Sequence, residues 1–365
     1  MEQTKKILIL YASVGLGHKS IAENIGFYLE RAGFTVCLYD AHRVESGKLV
    51  RWATKFYGFL INQFPFVWSW LYKTEWFISL TLPYRTRVAK FQHRNILEVL
   101  EKERPNLVIS THVTPSAAMD YLKKQGLYTG KFGITFSDFH LHRFWLFDSA
   151  DFYLANIQEQ KEEMIKLGIN QDKIFVCGIT LRPKIEVNAE LIKQKLGINS
   201  NQKTLLLASG SQGTGVDRNL IDELLAKSQA KIIVVCGKNK VLFENLSERY
   251  QNANCIILGY YSPMEELYAV ADLFISKPGG LSTAEALRYN LPILVSHLLP
   301  GQEELNYNYL QEKSLVMPEP INLVSSAIEE LESGEFRQNL ASSQALLEIF
   351  IRPETLIDAI RKSLG

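Results

Sequence analysis

The sequence predicts an α/β fold made of two similar units, each with a parallel β-sheet covered by helices. The chain has 365 residues, roughly two and a half times the length of a typical domain, so two domains are expected. Hydrophobic residues make up 47% of the chain and charged residues 22%, as in soluble globular proteins. Short apolar runs alternate with helical patterns along the chain, which is typical of parallel sheets with helices on both faces.

The apolar runs fall into two sets of six. The first set predicts strands at residues 5–12, 34–40, 106–111, 131–136, 152–155 and 173–178. The second set predicts strands at residues 203–210, 230–237, 253–259, 271–276, 291–296 and 314–318. We therefore predict an N-terminal domain of residues 1–183, rejoined by a C-terminal helix at 345–365, and a C-terminal domain of residues 184–344. Two such units would enclose a central cleft, and ligands of open parallel sheets bind beyond the carboxyl ends of the strands.

The overall charge and the cysteines exclude several classes of protein. Forty basic and 39 acidic residues give a net charge of +1, which excludes a globally basic nucleic-acid binder. The cysteines contain no C-x-x-C pair, so they predict ordinary buried thiols in a reducing cytosol. The longest uncharged apolar stretch, residues 56–72, is interrupted by polar residues and a proline and is too short to predict a membrane-spanning helix.

One segment departs strongly from the average composition. Between residues 43 and 97 there are nine Lys or Arg side chains and two acids, and four of the five tryptophans lie there: Trp52, Trp68, Trp70 and Trp76. Tryptophan prefers the headgroup layer of a bilayer, and basic side chains attract anionic lipids. The segment therefore predicts docking to an anionic membrane surface. A helical pair buried against the N-terminal sheet is the alternative, and RNA binding would also fit this composition, although no RNA-binding motif is found.

The loop after the first predicted strand has a glycine-rich pattern. Gly15, Gly17 and Ser20 nearly form G-x-G-x-x-G, and Asp40 ends the next strand, where a dinucleotide fold has a ribose-binding acid. NAD binding is therefore one interpretation. His18 is the distinguishing residue, because the positive end of a helix disfavours its protonation and leaves a neutral imidazole that can act as a base. A polar helix cap is the alternative interpretation of His18.

The strongest pattern lies in the second half of the chain. After the run at 271–276, two glycines leave room for a diphosphate, hydroxyl residues begin a helix, and a carboxylate in its first turn suits ribose hydroxyls. Polar residues after the following strand suit the hydroxyls of a sugar. The residues concerned are Gly279, Gly280, Leu281, Ser282, Thr283, Glu285, Gln302, Glu303 and Asn306. Their spacing predicts a phosphosugar or nucleotide site.

Together these motifs resemble those of the diacylglycerol glycosyltransferases, which include bacterial diglucosyl-diacylglycerol synthases and plastid monogalactosyl-diacylglycerol synthases. The family is related to the enzyme that adds N-acetylglucosamine to lipid I. The resemblance extends over most of the chain, through the motifs at 15–18, 110–115, 135–142, 178–183, 236–239, 259–260, 277–287 and 300–306. The sequence departs from the family pattern at Ser13, where many relatives have Asp or Asn, at Thr180, which replaces a proline, and in the loop 209–215.

The resemblance implies the two-domain GT-B fold, a UDP-hexose donor and displacement at the anomeric carbon with inversion, without a bound metal or other cofactor. A lipid hydroxyl needs a base within reach as it attacks. His18 is the first choice because of its position in the first loop, and Asp138 is the second, because a carboxylate in the cleft could act alone or orient a histidine. The residues implied to shape the acceptor pocket are Gly17, His112, His140 and His142. The residues implied to join the second-half pattern in holding the donor are Arg182, Gly213, Thr214, Gly215 and Lys238. Because Asp138, His140 and His142 alternate along an extended segment, a metal cluster is the alternative interpretation of these three.

The predicted function is the transfer of a hexose from UDP-glucose or UDP-galactose to diacylglycerol or its monoglycosyl product. The protein is expected to be cytoplasmic and bound peripherally to the inner face of the cell membrane, with no nucleic-acid partner. Three alternatives are a polyprenyl-linked or soluble glycan acceptor on the same fold, a UDP-sugar epimerase, and a non-catalytic protein that senses UDP-sugar at the membrane.

Overall fold

A computed structural model describes residues 4–13, 17–41, 63–208, 210, 213, 216–251, 253–350 and 352–365. The chain forms two compact units. The first contains Met1–Arg182, Leu299–Leu305 and Glu348–Gly365, and the second contains Pro183–Leu298 and Asn306–Leu347. The short segment Leu299–Leu305, called the 299–305 segment below, therefore belongs to the first unit although the residues on both sides of it belong to the second.

The first unit is built on a six-stranded sheet with the order β2-β1-β3-β4-β5-β6. Its strands are β1 (Lys6–Tyr11), β2 (Thr35–Asp40), β3 (Leu107–Ser110), β4 (Lys131–Thr135), β5 (Phe152–Ala155) and β6 (Ile174–Val176). Every pair of neighbours is parallel. All residues of β3 and β5 are buried, as is typical of strands that are covered on both faces.

The helices of the first unit connect these strands. They are α1 (Gly17–Arg31), α2 (Pro65–Lys73), α3 (Glu75–Glu103), α4 (Val113–Lys124), α5 (Gln158–Lys166) and, at the C-terminus, α15 (Pro353–Leu364). Short 3₁₀ turns lie at Arg143–Trp145 and Gln171–Lys173. None of the helices in the described part of the chain is both long and apolar enough to cross a bilayer.

The core of the first unit packs tightly enough to dictate a glycine. Leu8, Val108 and Phe132 are fully or almost fully buried in one apolar cluster, and each buried side chain of this size contributes about 1.5–3 kcal/mol. At Gly133, in the middle of β4, a Cβ would lie 2.1 Å from the ring of Phe152. The sheet therefore brings β4 and β5 together only because position 133 has no side chain.

The second unit contains a five-stranded parallel sheet with the order β11-β10-β7-β8-β9. Its strands are β7 (Thr204–Ala208), β8 (Lys231–Val235), β9 (Cys255–Leu258), β10 (Leu273–Ser276) and β11 (Ile293–Val295). The helices associated with it are α6 (Ala189–Lys195), α7 (Arg218–Lys227), α8 (Lys240–Arg249), α9 (Glu265–Val270), α10 (Gly280–Leu287), α11 (Gln302–Glu312), α12 (Leu323–Ser333), α13 (Glu335–Ala341) and α14 (Ala345–Glu348). The first residues of α11 and the last residue of α14 belong to the first unit.

The predicted α/β class with two parallel sheets is confirmed, and eleven of the twelve predicted strands are present. The twelfth, at 314–318, is wrong. In the structure this stretch is irregular, and Met317 donates a single backbone hydrogen bond of 2.9 Å to the carbonyl of Ile293. Pro318 follows directly and has no N–H with which to continue a ladder, so an apolar run at this point does not become a strand.

Candidate active site

Three predicted site residues lie in neighbouring loops of the first unit. Strands β1, β3 and β4 are adjacent and parallel, so their carboxyl ends lie at the same edge of the sheet. His18 follows β1, His112 follows β3 and Asp138 follows β4. We call the loops after these strands the first-unit loops. The structure thus brings together titratable side chains that are separated by 26 to 120 residues in the sequence.

His18 lies in an aromatic cluster. Its ring centroid is 4.7 Å from that of His112, nearly perpendicular to it, and 5.8 Å from that of Trp145. Thr111 donates a hydrogen bond of 3.1 Å from Oγ1 to the carbonyl of His18. Among the residues that the structure describes, Nδ1 of His18 is buried and has no hydrogen-bond partner. The cluster therefore holds the ring in place and leaves this buried nitrogen without a partner among those residues.

Burial lowers the pKa of His18 below its ordinary value of 6.5. The negative charge of Asp138 and a hydrogen bond with the backbone of Thr111 act in the opposite direction and are the smaller effects. His18 is consequently neutral at neutral pH, and an unprotonated imidazole is the form that can accept a proton.

His112 is held by the start of helix α4. Its Nδ1 accepts a hydrogen bond of 3.2 Å from the backbone N–H of Thr114, as in other side-chain caps of helix N-termini. Its carbonyl accepts hydrogen bonds from the hydroxyls of Ser110 and Ser116, at 3.0 and 2.9 Å. Because Nδ1 is an acceptor, the proton of a neutral His112 lies on Nε2. His112 is therefore a helix cap as well as a wall of the His18 cluster.

The loop that contains Asp138 is fixed by two buried amides. Asn156 donates to the carbonyl of Asp138 at 2.9 Å, and Gln160 donates to the carbonyls of Asp138 and His140, both at 2.9 Å. The carboxylate itself accepts hydrogen bonds from the hydroxyl of Ser137 and from Nε2 of Gln302, each at 2.8 Å. Sequence reasoning missed Asn156 and Gln160, and their only signal was a pair of polar residues around the end of a buried strand.

His140 and His142 both contact Tyr72, at the end of helix α2. Nε2 of His140 is 3.5 Å from the Tyr72 hydroxyl. The ring centroid of His142 is 4.3 Å from that of Tyr72, and its Nε2 is 3.1 Å from the Tyr72 carbonyl. Nδ1 of His142 accepts a hydrogen bond from Phe144 and thereby caps the 3₁₀ turn that contains Trp145. No group of three His, Cys, Asp or Glu side chains within the described ranges is arranged to hold a metal ion.

The aromatic segment exposes one face of helix α2 and of the start of α3. Relative exposure is 88% for Phe66, 62% for Trp70, 65% for Trp76 and 62% for Leu80, and we call these four side chains the aromatic patch. Trp68 instead packs on Tyr72 and Phe77, with centroids 6.2 Å apart in each case. Trp52 lies outside the described residues. Large apolar side chains that are exposed together mark interaction surfaces.

The basic residues of the same segment have different environments. Arg85 is partly buried, donates to the carbonyls of Phe144 and Leu146 at 2.8 and 2.7 Å, and stacks on Phe147. Lys73 forms an ion pair of 2.6 Å with Glu304. Lys90 and Arg94 are exposed on α3. Arg85 therefore holds α3 to the loop that carries Trp145, and part of the local positive charge is structural.

The second unit places its predicted donor residues at one edge of its own sheet. Strands β10, β7 and β8 are adjacent and parallel. Gly210 and Gly213 follow β7, Lys238 follows β8, and the pattern Gly279–Glu285 follows β10. We call these the second-unit loops. Thr214 and Gly215 lie outside the described residues.

Gly213 is required by its backbone. Its φ is +60°, and a Cβ there would lie 2.7 Å from the carbonyl oxygen of Cys236 and 2.9 Å from Leu242. L-residues with side chains rarely adopt this conformation. Residue 213 can thus approach the end of strand β8 only as glycine.

Helix α10 begins directly after the glycine pair. Ser282 donates from Oγ to the carbonyl of Gly279 at 3.3 Å, and the buried Asn306 donates to the carbonyl of Pro278 at 3.1 Å. Thr283 is buried, and its N–H donates to Gly279 within the helix. The Thr283 amide is therefore occupied inside the helix and is not open to an anion. Only the earlier amides of a helix lack partners inside it.

Glu285 has a strongly shifted pKa. Burial, aided by the negative charge of Glu265, raises the pKa of Glu285 to about 7, although the hydroxyl of Tyr268 donates to it at 3.3 Å. Tyr268 is almost completely buried and was missed by sequence reasoning. A half-buried carboxyl held by a buried phenol is suited to accept hydrogen bonds from ligand hydroxyls.

The remaining predicted residues have separate positions. The guanidinium of Arg182 lies 5.7 Å from the Phe27 ring in the first unit. Nζ of Lys238 lies 5.9 Å from the Tyr260 ring in the second. Glu303 is buried and accepts from the backbone N–H of Leu299 at 2.8 Å, so it shapes the 299–305 segment. Gly17 begins α1, and Leu281 lies partly buried in the first turn of α10.

Comparisons with known proteins agree with this architecture. The family model of monogalactosyldiacylglycerol (MGDG) synthase matches residues 33–181, and that of the glycosyltransferase family 28 C-terminal domain matches residues 204–314. A processive diacylglycerol β-glucosyltransferase of Bacillus pumilus is 28% identical over 381 aligned positions, which cover 98% of this chain and 97% of that protein.

Two solved structures share the fold over nearly the whole chain. The UDP-GlcNAc 2-epimerase of Neisseria meningitidis bound to UDP-GlcNAc has a TM-score of 0.59 at 13% identity and covers 98% of this chain and 100% of that one. A UDP-glucosyltransferase of Polygonum tinctorium has a TM-score of 0.63 at 14% identity, with 99% and 98% covered. The predicted GT-B fold is confirmed, and so is the predicted resemblance to the diacylglycerol glycosyltransferases.

Proposed function

We propose that the protein transfers a glucosyl group from UDP-glucose to the hydroxyl of diacylglycerol, and then to the product of that transfer, with inversion at the anomeric carbon. The observation that carries this proposal is the end-to-end similarity to a processive diacylglycerol β-glucosyltransferase, over 98% of this chain. The similarity supports hexose transfer to diacylglycerol over the alternative acceptors and over epimerisation. The names of such relatives also favour glucose over galactose.

In this proposal His18 is the general base. The pKa of a lipid hydroxyl is far above neutrality, so the hydroxyl must lose its proton as it attacks. The buried Nδ1 of His18, which has no partner among the described residues, and the lowered pKa of the ring support this role. Asp138 is the second predicted participant. Its charge favours the protonated imidazole, which is the form that proton transfer produces, so it stabilises the developing charge.

The second-unit loops hold the donor in this proposal. The departing UDP carries negative charge on its diphosphate, and the amides of Gly280, Leu281 and Ser282 open helix α10 with the polarity that suits an anion. Lys238 supplies positive charge, and Glu285 receives the ribose hydroxyls. These groups do not include a metal ligand set, so we expect transfer to continue when a chelator such as EDTA is added.

The acceptor is supplied from a membrane surface. We propose that the aromatic patch enters the headgroup layer and that the exposed Lys90 and Arg94 attract anionic lipids, at about 1 kcal/mol per basic residue. The protein would then work as a peripheral protein on the cytoplasmic face of the cell membrane. Diacylglycerol lies in that membrane, so docking brings the enzyme to its acceptor.

The activity is tested with purified protein, diacylglycerol in mixed micelles, and either UDP-glucose or UDP-galactose. We expect UDP release and, by mass spectrometry of the lipid extract, mono- and diglucosyl-diacylglycerol. No glycolipid from either donor would contradict the proposal. Conversion of the UDP-hexose into its epimer without any lipid acceptor would identify an epimerase instead, and transfer to a polyprenyl-linked or soluble glycan alone would identify a different acceptor.

Membrane docking is tested by sedimentation with vesicles. The double variant Trp70→Ser/Trp76→Ser should bind vesicles containing phosphatidylglycerol at least about tenfold more weakly than the original protein, because two interfacial side chains are lost. The matched control is Leu191→Ser in the second unit, where an exposed apolar side chain of 59% exposure is removed outside the aromatic patch. Equal binding by both variants would refute docking through this patch.

A further inference from the structure

Helix α2 has two faces with different surroundings. The outer face carries Phe66 and Trp70 of the aromatic patch, which are largely exposed. The inner face carries Ser69, Tyr72 and Lys73. Ser69 is only 9% exposed, and all three of these residues contact the 299–305 segment, within the first unit. The helix therefore lies between a surface suited to lipid and a segment that reaches the predicted catalytic residues.

One carboxylate oxygen joins the helix to the segment. Oε2 of Glu304 accepts a hydrogen bond from the hydroxyl of Ser69, pairs with Nζ of Lys73 at 2.6 Å, and accepts from the backbone N–H of Gly301 at 3.3 Å. Burial by itself would raise the pKa of Glu304, but the bonds from Lys73, Ser69 and Gly301 outweigh it and hold the pKa below its ordinary value. The carboxylate is therefore ionised at neutral pH, which the ion pair requires.

The segment also packs directly on the helix. Gly301 has a φ of +85°, and a Cβ there would lie 2.7 Å from Cγ of Tyr72. Only glycine permits this approach. The Tyr72 ring in turn packs against His142 and lies near His140. The position of the segment is thus set by the inner face of α2 through both polar and apolar contacts.

The next residue of the segment reaches the predicted catalytic carboxylate. Gln302 lies between Gly301 and Glu304 in the sequence. Its Nε2 donates to Oδ2 of Asp138 at 2.8 Å. Any movement of α2 away from Glu304 would release the segment and with it the Gln302 amide. The contacts form a continuous path from α2, which carries Phe66 and Trp70 of the aromatic patch, to Asp138 through Gly301, Gln302 and Glu304.

We propose that Glu304 is a positioning residue that couples binding of a lipid surface at the outer face of α2 to the Gln302–Asp138 contact. The coupling rests on the proposed function, in which the aromatic patch docks on the membrane. A ligand shifts an equilibrium between two states only if it binds one of them more tightly. The lipid surface would bind more tightly to the state in which Ser69 and Lys73 of α2 contact Glu304 than to a state in which α2 and the 299–305 segment are apart. The enzyme is then fully active only when it is docked.

The test compares Glu304→Gln with the original protein in glycolipid synthesis at increasing concentrations of phosphatidylglycerol vesicles containing diacylglycerol. We expect Glu304→Gln to bind vesicles as before, because the aromatic patch is unchanged, and to show kcat at saturating vesicles lowered roughly tenfold, as expected of a misplaced catalytic contact. Lys73→Met should reproduce the loss. The matched control is Glu223→Gln, which removes the exposed 3.2 Å pair with Lys227 on α7 and should leave kcat unchanged.

A second comparison separates positioning from a purely structural role. If Glu304 acts through Gln302, then Glu304→Gln should have no further effect on kcat in a Gln302→Ala background, whereas independent effects would multiply. Multiplicative losses, or a kcat equal to that of Glu223→Gln, would overturn the proposal. Melting temperatures of all variants identify any that fail to fold, and Lys73→Met then takes the place of Glu304→Gln in the double variant. If the original protein makes no glycolipid or binds no vesicles, the proposed function has failed rather than the coupling.

Discussion

The first-unit loops and the second-unit loops occupy equivalent ends of two parallel sheets but have opposite chemistry. The first-unit loops present rings and a carboxylate, with His18, His112 and Trp145 in mutual contact. The second-unit loops present glycines and helix amides, at Gly210, Gly213 and the start of α10. Proton transfer needs a side chain whose pKa is adjusted by its neighbours, whereas a diphosphate is held by backbone N–H groups that side chains would obstruct.

The two sets of loops should therefore respond differently to substitution. In the first unit the rings are held by neighbouring side chains and helix caps, so loss of one functional group should lower the rate and leave the fold intact. In the second unit we propose that glycine backbone holds the diphosphate, so a side chain added at one of these glycines should weaken donor binding and also reduce stability. We expect four experiments to separate the two regions, from the largest effect to the smallest.

Removal of the imidazole at position 18 should have the largest effect. We expect His18→Ala to lower kcat by about 10²–10⁴-fold, the usual contribution of a general base, with little change in KM for UDP-glucose or in melting temperature. Steady-state kinetics with diacylglycerol micelles measure both constants. His93→Ala, which removes a histidine on α3 that contacts Tyr121, is the control. A kcat for His18→Ala within twofold of the original would exclude His18 as the base.

A side chain at position 213 should damage both donor binding and stability. Gly213→Ala combines a positive φ with a Cβ 2.7 Å from the Cys236 carbonyl, so we expect a loss of about 1–3 kcal/mol from crowding beyond the backbone strain and a higher KM for UDP-glucose. The control is Gly334→Ala, where φ is +63° but nothing lies within 4 Å of the added Cβ. It should lose only about 1 kcal/mol and keep its KM. Equal losses in the two variants would show that crowding at 213 is unimportant.

An ionised Glu285 should lower the stability of the folded protein, although we propose that it helps to bind UDP-glucose. The pKa of Glu285 is about 7 in the folded protein against an ordinary 4.5, so the folded state binds the proton more tightly than the unfolded state does. The stabilisation from this proton is complete below pH 4.5 and is lost as the pH rises through 7. Glu285→Gln should therefore melt at a higher temperature than the original at pH 8, relative to their difference at pH 4, and have a KM for UDP-glucose raised about tenfold, as for a lost hydrogen bond to a charged group. Calorimetry at both pH values measures the first effect. A smaller advantage for Glu285→Gln at pH 8 than at pH 4 would contradict it.

The acid limb of the pH–rate profile should report the His18 environment. Because burial lowers the pKa of His18 below 6.5, kcat/KM should decline only at a pH below 6.5. Trp145→Ala admits water to the ring, which weakens desolvation, so the limb should move upward towards 6.5. Trp70→Ala, which removes an exposed ring of the aromatic patch, should leave the limb in place while lowering the rate on vesicles. If the acid limb of Trp145→Ala lies at the same pH as that of the original protein, a group other than His18 controls it.

Much of the fold could be predicted from the sequence because the strands of parallel sheets are continuous apolar runs. Eleven such runs became strands, and the failure at 314–318 had a local cause in Pro318. The glycine-rich loops could also be recognised in the sequence, because a loop that joins a strand end to a helix start needs glycine at fixed spacing. His18 and Asp138 were identified because they occupy fixed positions in such motifs, and their roles remain predictions.

Residues that act through tertiary contacts could not be found in this way. Trp145 packs on His18 from 127 positions away, and Gln160 holds the Asp138 loop from the far side of a strand. Glu304 and Lys73 are ordinary charged residues of two helices until the fold pairs them. Similarly, the positive charge of residues 43–97 suggested one uniform basic surface. Arg85 instead donates its hydrogen bonds to backbone carbonyls inside the first unit.

The sequence by itself determined the two-sheet α/β fold, the family resemblance and the loops at the strand ends, because backbone geometry limits which residues can stand in strands, tight turns and helix starts. Only the tertiary structure decided which side chains meet in those loops. Burial and the distances between groups set the pKa of His18 and of Glu285. The packing of α2 on the 299–305 segment joins Lys73 to Glu304, and the same segment carries the Gln302 contact with Asp138. Both depend on positions in space that local sequence patterns do not encode.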